Sequence, residues 1–437
     1  MKTFYIKTLG CKVNQYESDG ICLSLEKKGF EKTQDASCAD IYIINTCAVT
    51  SKAGMQSRQA IRKIIRENPR AKVIVTGCHA QTDPDQIKAI DHVDQIISQS
   101  DKTKIATHIL DICSKPDAFP FKPADHTAKN YFHSFEDTVK GEMTRAYLKI
   151  QDGCNAFCTY CIVPYARGSS VSMPQDEVFA HLKNLNRDGV NEVILTGIHA
   201  GMYGLDLLPK SSLLDLLENI NALRPVHRIR LSSIEPGEIN DGIIRLAGSG
   251  NILCDHFHVP LQSGDDDILK KMKRHYTAAM FENTILNIHE QLPLGAIGID
   301  VLVGFPTETA KQFENTCKLI EKLPISYLHV FPFSARKGTP AWHFKPKVNS
   351  QEIKDRCALL RQLGKEKQQT FIQKNLNKPL EGLVQNVHDA RTGRIKAMTS
   401  NYMTVLLDKR QDLKGKIVNI IPEKFEPSFV ISGKIIP

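Results

Sequence analysis

The chain is 437 residues long, 41% hydrophobic and 24% charged, with a net charge of +9. That is room for about two to four domains with sizeable cores, and the sign of the charge favours a polyanionic partner. No run of about eighteen apolar residues exists, so no membrane span is expected, and the N-terminus, Met1-Lys2-Thr3-Phe4-Tyr5-Ile6, lacks the apolar core of a signal peptide. A cytoplasmic location is the expectation, and in a reducing cytosol the 12 cysteines read as thiols or metal ligands rather than disulfides.

Residues 1–113 alternate short apolar strands with helices. Strands are expected at Thr3–Leu9, Asp40–Asn45, Lys72–Thr76 and Gln95–Ser98, with a helix over Ser51–Glu67. This is the pattern of βαβ units in an open parallel sheet of the Rossmann or flavodoxin-like kind. Residues 114–140, rich in Pro, Lys, Asp and His, read as a linker. A second α/β series fills 141–375, with strands expected at Ala146–Ile150, Glu192–Leu195, Arg228–Leu231, His256–Val259, Gly298–Val303 and Tyr327–Phe331. Helices such as Pro174–Asp188 and Glu308–Leu323 fall between them, giving a partial six-unit (β/α) barrel. A charged helix over 350–376 follows. Residues 376–437 then change to short strands with Gly turns, Leu380–Val387, Arg394–Met398, Met403–Leu407 and Lys416–Ile421, as in a small antiparallel barrel. Residues 377–437 carry 10 Lys+Arg against 6 Asp+Glu, a net +4.

The chemistry is concentrated in cysteines. Cys154, Cys158 and Cys161 are spaced C-x3-C-x2-C, between Gly153 and Pro164. Three thiolates at this spacing hold three irons of a four-iron cluster, and the fourth iron, lacking a local cysteine, is open to another ligand. Positions i, i+4 and i+7 also describe one face of a helix, although Gly153, Asn155, Thr159 and Pro164 suit a loop better. Cys11, Cys47 and Cys78 each follow one of the N-terminal strands, beside Gly10, Thr46 and Gly77. Ligands of open parallel sheets bind beyond the carboxyl ends of the strands, so these three can hold another cluster. The competing reading is three unrelated buried thiols.

Polar motifs also recur at the expected strand ends of the second series: Thr196-Gly197, Ser232-Ser233-Ile234-Glu235, Gln262-Ser263-Gly264, Gly304-Phe305-Pro306-Thr307-Glu308 and Ser334-Ala335-Arg336-Lys337-Gly338. In βα barrels the active site lies at that face. Cys254, Asp255, His256 and His258 look metal-like, but strand alternation, with Phe257 and Val259 on the opposite face, explains them as well. Cys22, Cys38, Cys113, Cys317 and Cys357 have no paired spacing and read as core thiols.

Together these motifs resemble the radical S-adenosylmethionine methylthiotransferase family over nearly the whole chain. Thr8-Leu9-Gly10-Cys11-Lys12-Val13-Asn14-Gln15, Asn45-Thr46-Cys47-Ala48-Val49 and Thr76-Gly77-Cys78 resemble its N-terminal cluster domain. Gly153-Cys154 through Cys161-Ile162-Val163-Pro164 resembles its radical cluster loop, and the C-terminal barrel is similar to a TRAM domain, an RNA-binding module. One departure is Ser172-Met173-Pro174, where the family usually shows Ser-Arg-Pro. The resemblance implies two [4Fe-4S] clusters and S-adenosylmethionine. Cys154, Cys158 and Cys161 would hold the radical cluster, and Cys11, Cys47 and Cys78 an auxiliary cluster that carries sulfur. It implies Tyr160 as an adenine contact, and Gly197, Ser233, Glu235, Gln262 and Val301 as further contacts to S-adenosylmethionine. Lys12, Asn14 and Arg336 are candidates at the substrate face. The implied reaction converts N6-threonylcarbamoyladenosine beside the tRNA anticodon to its 2-methylthio derivative, with an electron donor such as flavodoxin or ferredoxin, a sulfur donor, and no membrane. The alternatives are methylthiolation of isopentenyladenosine or of a ribosomal-protein aspartate, or a non-catalytic iron–sulfur RNA-binding redox sensor.

Overall fold

The computed structural model describes residues 2–114, 131–135, 137–141, 143–248, 250–408, 411–426 and 430–436. Most of the expected linker, residues 115–130, and the Cys113 side chain lie outside the described residues. Among the described residues no helix is long and apolar enough to cross a membrane.

The N-terminal sheet has five parallel strands, β1 (Thr3–Thr8), β2 (Glu31–Lys32), β3 (Ile41–Thr46), β4 (Lys72–Gly77) and β5 (Gln95–Ile96), in the order β2-β1-β3-β4-β5. Strand β3, Ile-Tyr-Ile-Ile-Asn-Thr, is buried throughout, as a central parallel strand covered on both faces must be. Its alternate side chains serve different cores. Ile41 and Ile43 pack with Tyr16, Ile21 and Leu25 of helix Lys12–Lys27, and Tyr42 and Ile44 pack with Ile61 and Ile64 of helix Ser51–Glu67.

The central series contains six parallel strands, β6 (Ala146–Lys149), β9 (Glu192–Thr196), β10 (Arg228–Leu231), β11 (His256–Gln262), β12 (Ala296–Val303) and β13 (Tyr327–Pro332), with a small antiparallel pair, β7 (Gln151–Asp152) and β8 (Val171–Ser172), after β6. Two three-stranded sheets, β10-β9-β6 and β11-β12-β13, are joined by the bridges Ile229↔Leu253 and Ser233↔His258. The result is a partial barrel whose open side lies between β6 and β13. The N-terminal sheet covers that side. Helix Lys12–Lys27 packs against β6, and Ser51 bonds Ser334 Oγ at 2.8 Å and the Ala335 carbonyl at 2.9 Å beyond β13. One continuous hydrophobic core therefore includes Phe4, Tyr16 and Leu25 together with Leu148, Leu195, Val259 and Val301.

After the long helix Ser350–Asn375, which packs on β13, the chain closes a five-stranded barrel from β14 (Leu380–His388), β15 (Ile395–Thr399), β16 (Thr404–Leu407), β17 (Ile417–Glu426) and β18 (Val430–Ile436). Its pairings are antiparallel except β16 with β18, which is parallel. The sequence reading misses β18 because Ser432-Gly433-Lys434 interrupts its apolar run. Of the cysteines expected in cores, Cys22, Cys317 and Cys357 are buried, but Cys38 is exposed, in the turn Ala36–Cys38 with its thiol beside Asp35.

This small barrel docks under the amino ends of the central strands. Glu192, fully buried at the start of β9, binds Arg228 at 2.6 Å and Arg230 at 2.9 Å. The two guanidiniums then donate to the carbonyls of Met398, Thr399 and Ser400. The Tyr402 ring stacks on His256 with centroids 4.3 Å apart. Burial opposes ionisation of Glu192, but Arg230 and Arg228 outweigh it and hold the carboxyl well below its ordinary value. Stability from such a depressed pKa is complete above the unfolded glutamate value of about 4.3 and is lost as pH falls below it toward the folded value. Glu192→Ala leaves two buried guanidiniums without their carboxylate and is expected to cost about 3–5 kcal/mol, read as a lower thermal midpoint by circular dichroism. Across pH 5 to 2 the wild-type midpoint should fall toward that of the variant, closing the gap between them.

Candidate active site

The strand order brings Cys11, Cys47 and Cys78 to one sheet end, since β1, β3 and β4 are adjacent and parallel. Cys11 caps helix Lys12–Lys27, and Cys78 opens the short helix Cys78–Thr82, where burial raises its thiol pKa above the ordinary value. Gly77 has φ +99°, and a Cβ there would lie 2.4 Å from the Thr46 backbone, so only glycine lets the chain turn into Cys78. Cys47 and Cys78 are buried and Cys11 is exposed, so the set opens on the Cys11 side. Burial pushes the Cys47 thiol up to about 11, with the neighbouring Cys78 and Cys11 adding to it. Gln99 Nε2 donates to Cys78 Sγ at 3.3 Å.

Residues 153–162 form a loop, which removes the helix-face reading of the second triad. Gly153 has φ +69°, with the Ser169 carbonyl only 2.0 Å from where a Cβ would stand. The loop is pinned by Cys154 N–H to the Gly168 carbonyl at 3.0 Å, Thr159 N–H to the Met272 carbonyl at 3.0 Å and Ala341 N–H to the Thr159 carbonyl at 2.8 Å. Burial pushes the Cys161 thiol up to about 12, and Cys158 and Cys154 are among its charged neighbours. Three donors aim at sulfur: Arg274 Nη1 at Cys158 (3.4 Å), the Ala156 N–H at Cys154 (3.4 Å) and the His199 imidazole beside Cys154 (3.5 Å). His199 is also 2.6 Å from Glu238. Both triads fit a [4Fe-4S] cluster: three thiols that sense one another, N–H groups directed at sulfur, and a largely buried setting.

The two triads are tied together. The short helix Val163–Arg167, directly after Cys161, packs against helix Cys78–Thr82, and Ala48, Cys78, Ile162 and Ala166 form one apolar cluster. Arg167 binds Glu17 at 2.9 Å, Asp152 at 2.9 Å and Asn14 Oδ1 at 2.7 Å. Lys102 and Lys149 complete the knot, at 2.7 and 3.5 Å from Glu17. Burial raises the cost of charging Glu17, yet Arg167, Lys102 and Lys149 hold its carboxyl well below its ordinary value. Asn14 thus belongs to the joint between domains, and Arg336 lies beside His79 and Gly54 on the outer side of that joint.

The remaining sequence candidates sit around the barrel mouth. Tyr160 is half-buried against Ile268, Met272, Phe305 and Ala341. Glu235 is ion-paired with Arg274, whose guanidinium lies 5.0 Å over the Tyr276 ring. Gly197 faces Gln151, where a Cβ would meet Oε1 at 2.8 Å. Ser233 is exposed at the bridge to β11, and Gln262 ends β11 at a bulge with φ +61°. The Val301 side chain packs outward in the core beneath the helices, so only its backbone faces the strand ladder. Met173, at the departure from the family pattern, is fully buried in the same core, so an apolar side chain suits it. Cys254 does not join the histidines but lies beside Arg230 and Arg228. His258 instead meets Asp300 and His329, a grouping invisible to the sequence because its members stand on three strands. His199 and Arg274 were likewise missed, since no local spacing links them to the cysteines, and Arg167, close after Cys161, gave no sign of its partners Glu17 and Asp152.

Residues 3–98 match the family described as Uncharacterized protein family UPF0004, and residues 148–320 match the Radical SAM superfamily. The chain is 36% identical to threonylcarbamoyladenosine tRNA methylthiotransferase MtaB of Bacillus subtilis (strain 168), over 96% of this chain and 93% of the relative. It is 31% identical to tRNA-2-methylthio-N(6)-dimethylallyladenosine synthase of Clostridium botulinum (strain Loch Maree / Type A3), over 99% of this chain and 94% of that protein. In fold it is similar to the radical S-adenosylmethionine methyltransferase TsrM of Kitasatospora setae, with a TM-score of 0.58 at 15% identity over 78% of this chain and 74% of that one. With both thiol triads in place and this similarity over nearly its full length, the chain belongs to the radical S-adenosylmethionine methylthiotransferase family, of the MtaB type.

Proposed function

We propose that this protein is a tRNA methylthiotransferase that converts N6-threonylcarbamoyladenosine beside the anticodon to its 2-methylthio derivative. The observation that carries the reading is the pair of three-thiol sets, one at a sheet end and one at a barrel mouth, joined through Arg167. Cys154, Cys158 and Cys161 would hold the cluster that binds S-adenosylmethionine, and Cys11, Cys47 and Cys78 the cluster that carries sulfur. When bound, these groups supply radical and sulfur chemistry, which adenine requires because its C2–H is neither acidic nor electrophilic.

The protein's own residues position and shield. Arg274 directs one N–H at Cys158 and another at Glu235, linking the radical loop to the end of β10. Tyr276 donates to the carbonyls of Pro260 and Leu261 and so sets the bulge at Gln262. Tyr160, Gly197, Ser233, Glu235, Gln262 and the Val301 backbone would line the S-adenosylmethionine site. The units 1–113, 141–375 and 376–437, with 114–140 joining the first two, act as sulfur carrier, radical generator and RNA grip. In the last, phosphate contacts from Lys and Arg supply affinity rather than specificity. An electron donor such as flavodoxin or ferredoxin and a sulfur donor complete the reaction, which takes place in the cytoplasm.

Replacing Cys11, Cys47 and Cys78 together by Ala is expected to halve the iron bound after anaerobic reconstitution, from about eight to about four per chain. Cleavage of S-adenosylmethionine to 5′-deoxyadenosine should persist while methylthiolation stops. Unchanged iron content would remove the auxiliary cluster from the reading. Nucleoside mass spectrometry of tRNA from cells lacking this protein should show 2-methylthio-N6-threonylcarbamoyladenosine gone and its unthiolated precursor retained. An unchanged level would refute the assigned substrate.

A further inference from the structure

A (β/α) barrel normally fills its lumen with apolar side chains. Here the lumen is polar. His258 Nε2 and His329 Nδ1 both contact Asp300 Oδ1, at 2.9 and 3.2 Å. The Tyr327 hydroxyl joins His258 at 3.0 Å and His256 at 2.8 Å. Lys12 reaches in from the N-terminal sheet. It opens helix Lys12–Lys27, which packs against β6, and is partly buried there, near enough to Arg145, Arg230 and Asp300 for its ammonium to feel their charge. Its own neighbour in sequence is Cys11. Burial, then Arg145 and Arg230, lower the Lys12 pKa below the ordinary lysine value. Among the described residues Lys12 makes no ion pair and no hydrogen bond. The other cations here outnumber their carboxylates: Arg145, Arg228 and Arg230 share Glu192, and Glu381 pairs with Arg228 alone.

The ligand atoms of His258, Asp300 and His329 lie within 4.8 Å of one another, a donor set that suits a divalent cation. The surrounding charge argues against one: the Lys12 ammonium feels two arginines, Arg145 and Arg230, against one carboxylate, Asp300. An excess of positive charge in a half-closed polar cup calls for an anion.

The substrate read above, on which this inference rests, carries one. The Watson–Crick edge of adenine bears both C2, the reacting carbon, and N6. The base enters with its ribose behind, so the N6 substituent is carried inward with C2. We propose that the lumen beneath the radical loop is the pocket for the threonylcarbamoyl group, with Lys12 pairing its carboxylate and His329 bonding its hydroxyl or urea. His329 suits this part, since its side chain is 54% exposed while Nδ1 is held by Asp300. With Nδ1 engaged by Asp300, Nε2 is the ring nitrogen left for a ligand. The neutral dimethylallyl group offers no charge for Lys12 to pair with, so this lysine separates the two tRNA substrates.

The test uses anticodon stem-loops carrying N6-threonylcarbamoyladenosine, the same nucleoside with its carboxylate converted to the primary amide, or dimethylallyladenosine. The reconstituted wild-type enzyme should bind the acid at least about tenfold more tightly than the amide by fluorescence anisotropy, and show the same ratio in KM with similar kcat. Lys12→Gln should remove that preference by weakening the acid alone, and Lys12→Arg should restore it. Iron content and the visible spectrum of the Lys12 variants report whether the neighbouring cluster is intact. Equal wild-type affinity for acid and amide overturns the proposal without the need of any variant. So does a Lys12→Gln effect of the same size on both. In either case turnover of the acid substrate leaves the functional reading standing. Turnover of dimethylallyladenosine alone would overturn that reading and this pocket with it.

Discussion

The arrangement depends on one buried knot of charge. Glu17 comes from the first helix, Lys102 from the short turn after β5 that packs beside that helix, and Lys149, Asp152 and Arg167 from the start of the barrel. Five charges out of water are costly singly and tolerable only when each is matched. Apolar surfaces could join two domains in several registers, but this knot has few ways of being satisfied. Because Arg167 lies six residues beyond Cys161 and Glu17 six beyond Cys11, the same bonds fix one thiol triad with respect to the other. The proposed chemistry, which would use both thiol triads, needs that separation held.

A second charged joint, around Glu192, performs the equivalent task at the opposite end. There the arginines of β10 reach through the floor of the barrel to main-chain carbonyls of the C-terminal strands. Backbone acceptors cannot be altered by changing a side chain, so this joint tolerates sequence change on the small barrel while holding its orientation. Both joints use glutamate between cations, and both lie within or beside the continuous core rather than at exposed interfaces.

Much of this is legible in the sequence, for identifiable reasons. Parallel strands buried on both faces appear as short apolar runs, and Ile41–Thr46 is such a run. Thiols that follow three such runs must share an edge once the sheet is parallel. The spacing of Cys154, Cys158 and Cys161 is local and is read directly. The partners of those thiols are not local: His199 is 45 residues from Cys154 and Arg274 is 116 from Cys158. Asp300 sits mid-strand in a segment that reads only as an apolar run, and its partnership with two histidines exists once the strands curve. Val301, beside it, sends its side chain away from the lumen by alternation, so only its backbone is left for that face.

The floor made by the C-terminal barrel has a consequence for the lifetime of reactive species. Tyr402 stacked on His256 and the arginine–carbonyl bonds around it cover the amino end of the barrel with the C-terminal strands. Solvent and stray hydrogen donors then approach from the mouth, the side from which the nucleoside must also come. The bound RNA becomes the stopper of the vessel in which it reacts, so protection against quenching is supplied by the substrate and lasts as long as it stays bound.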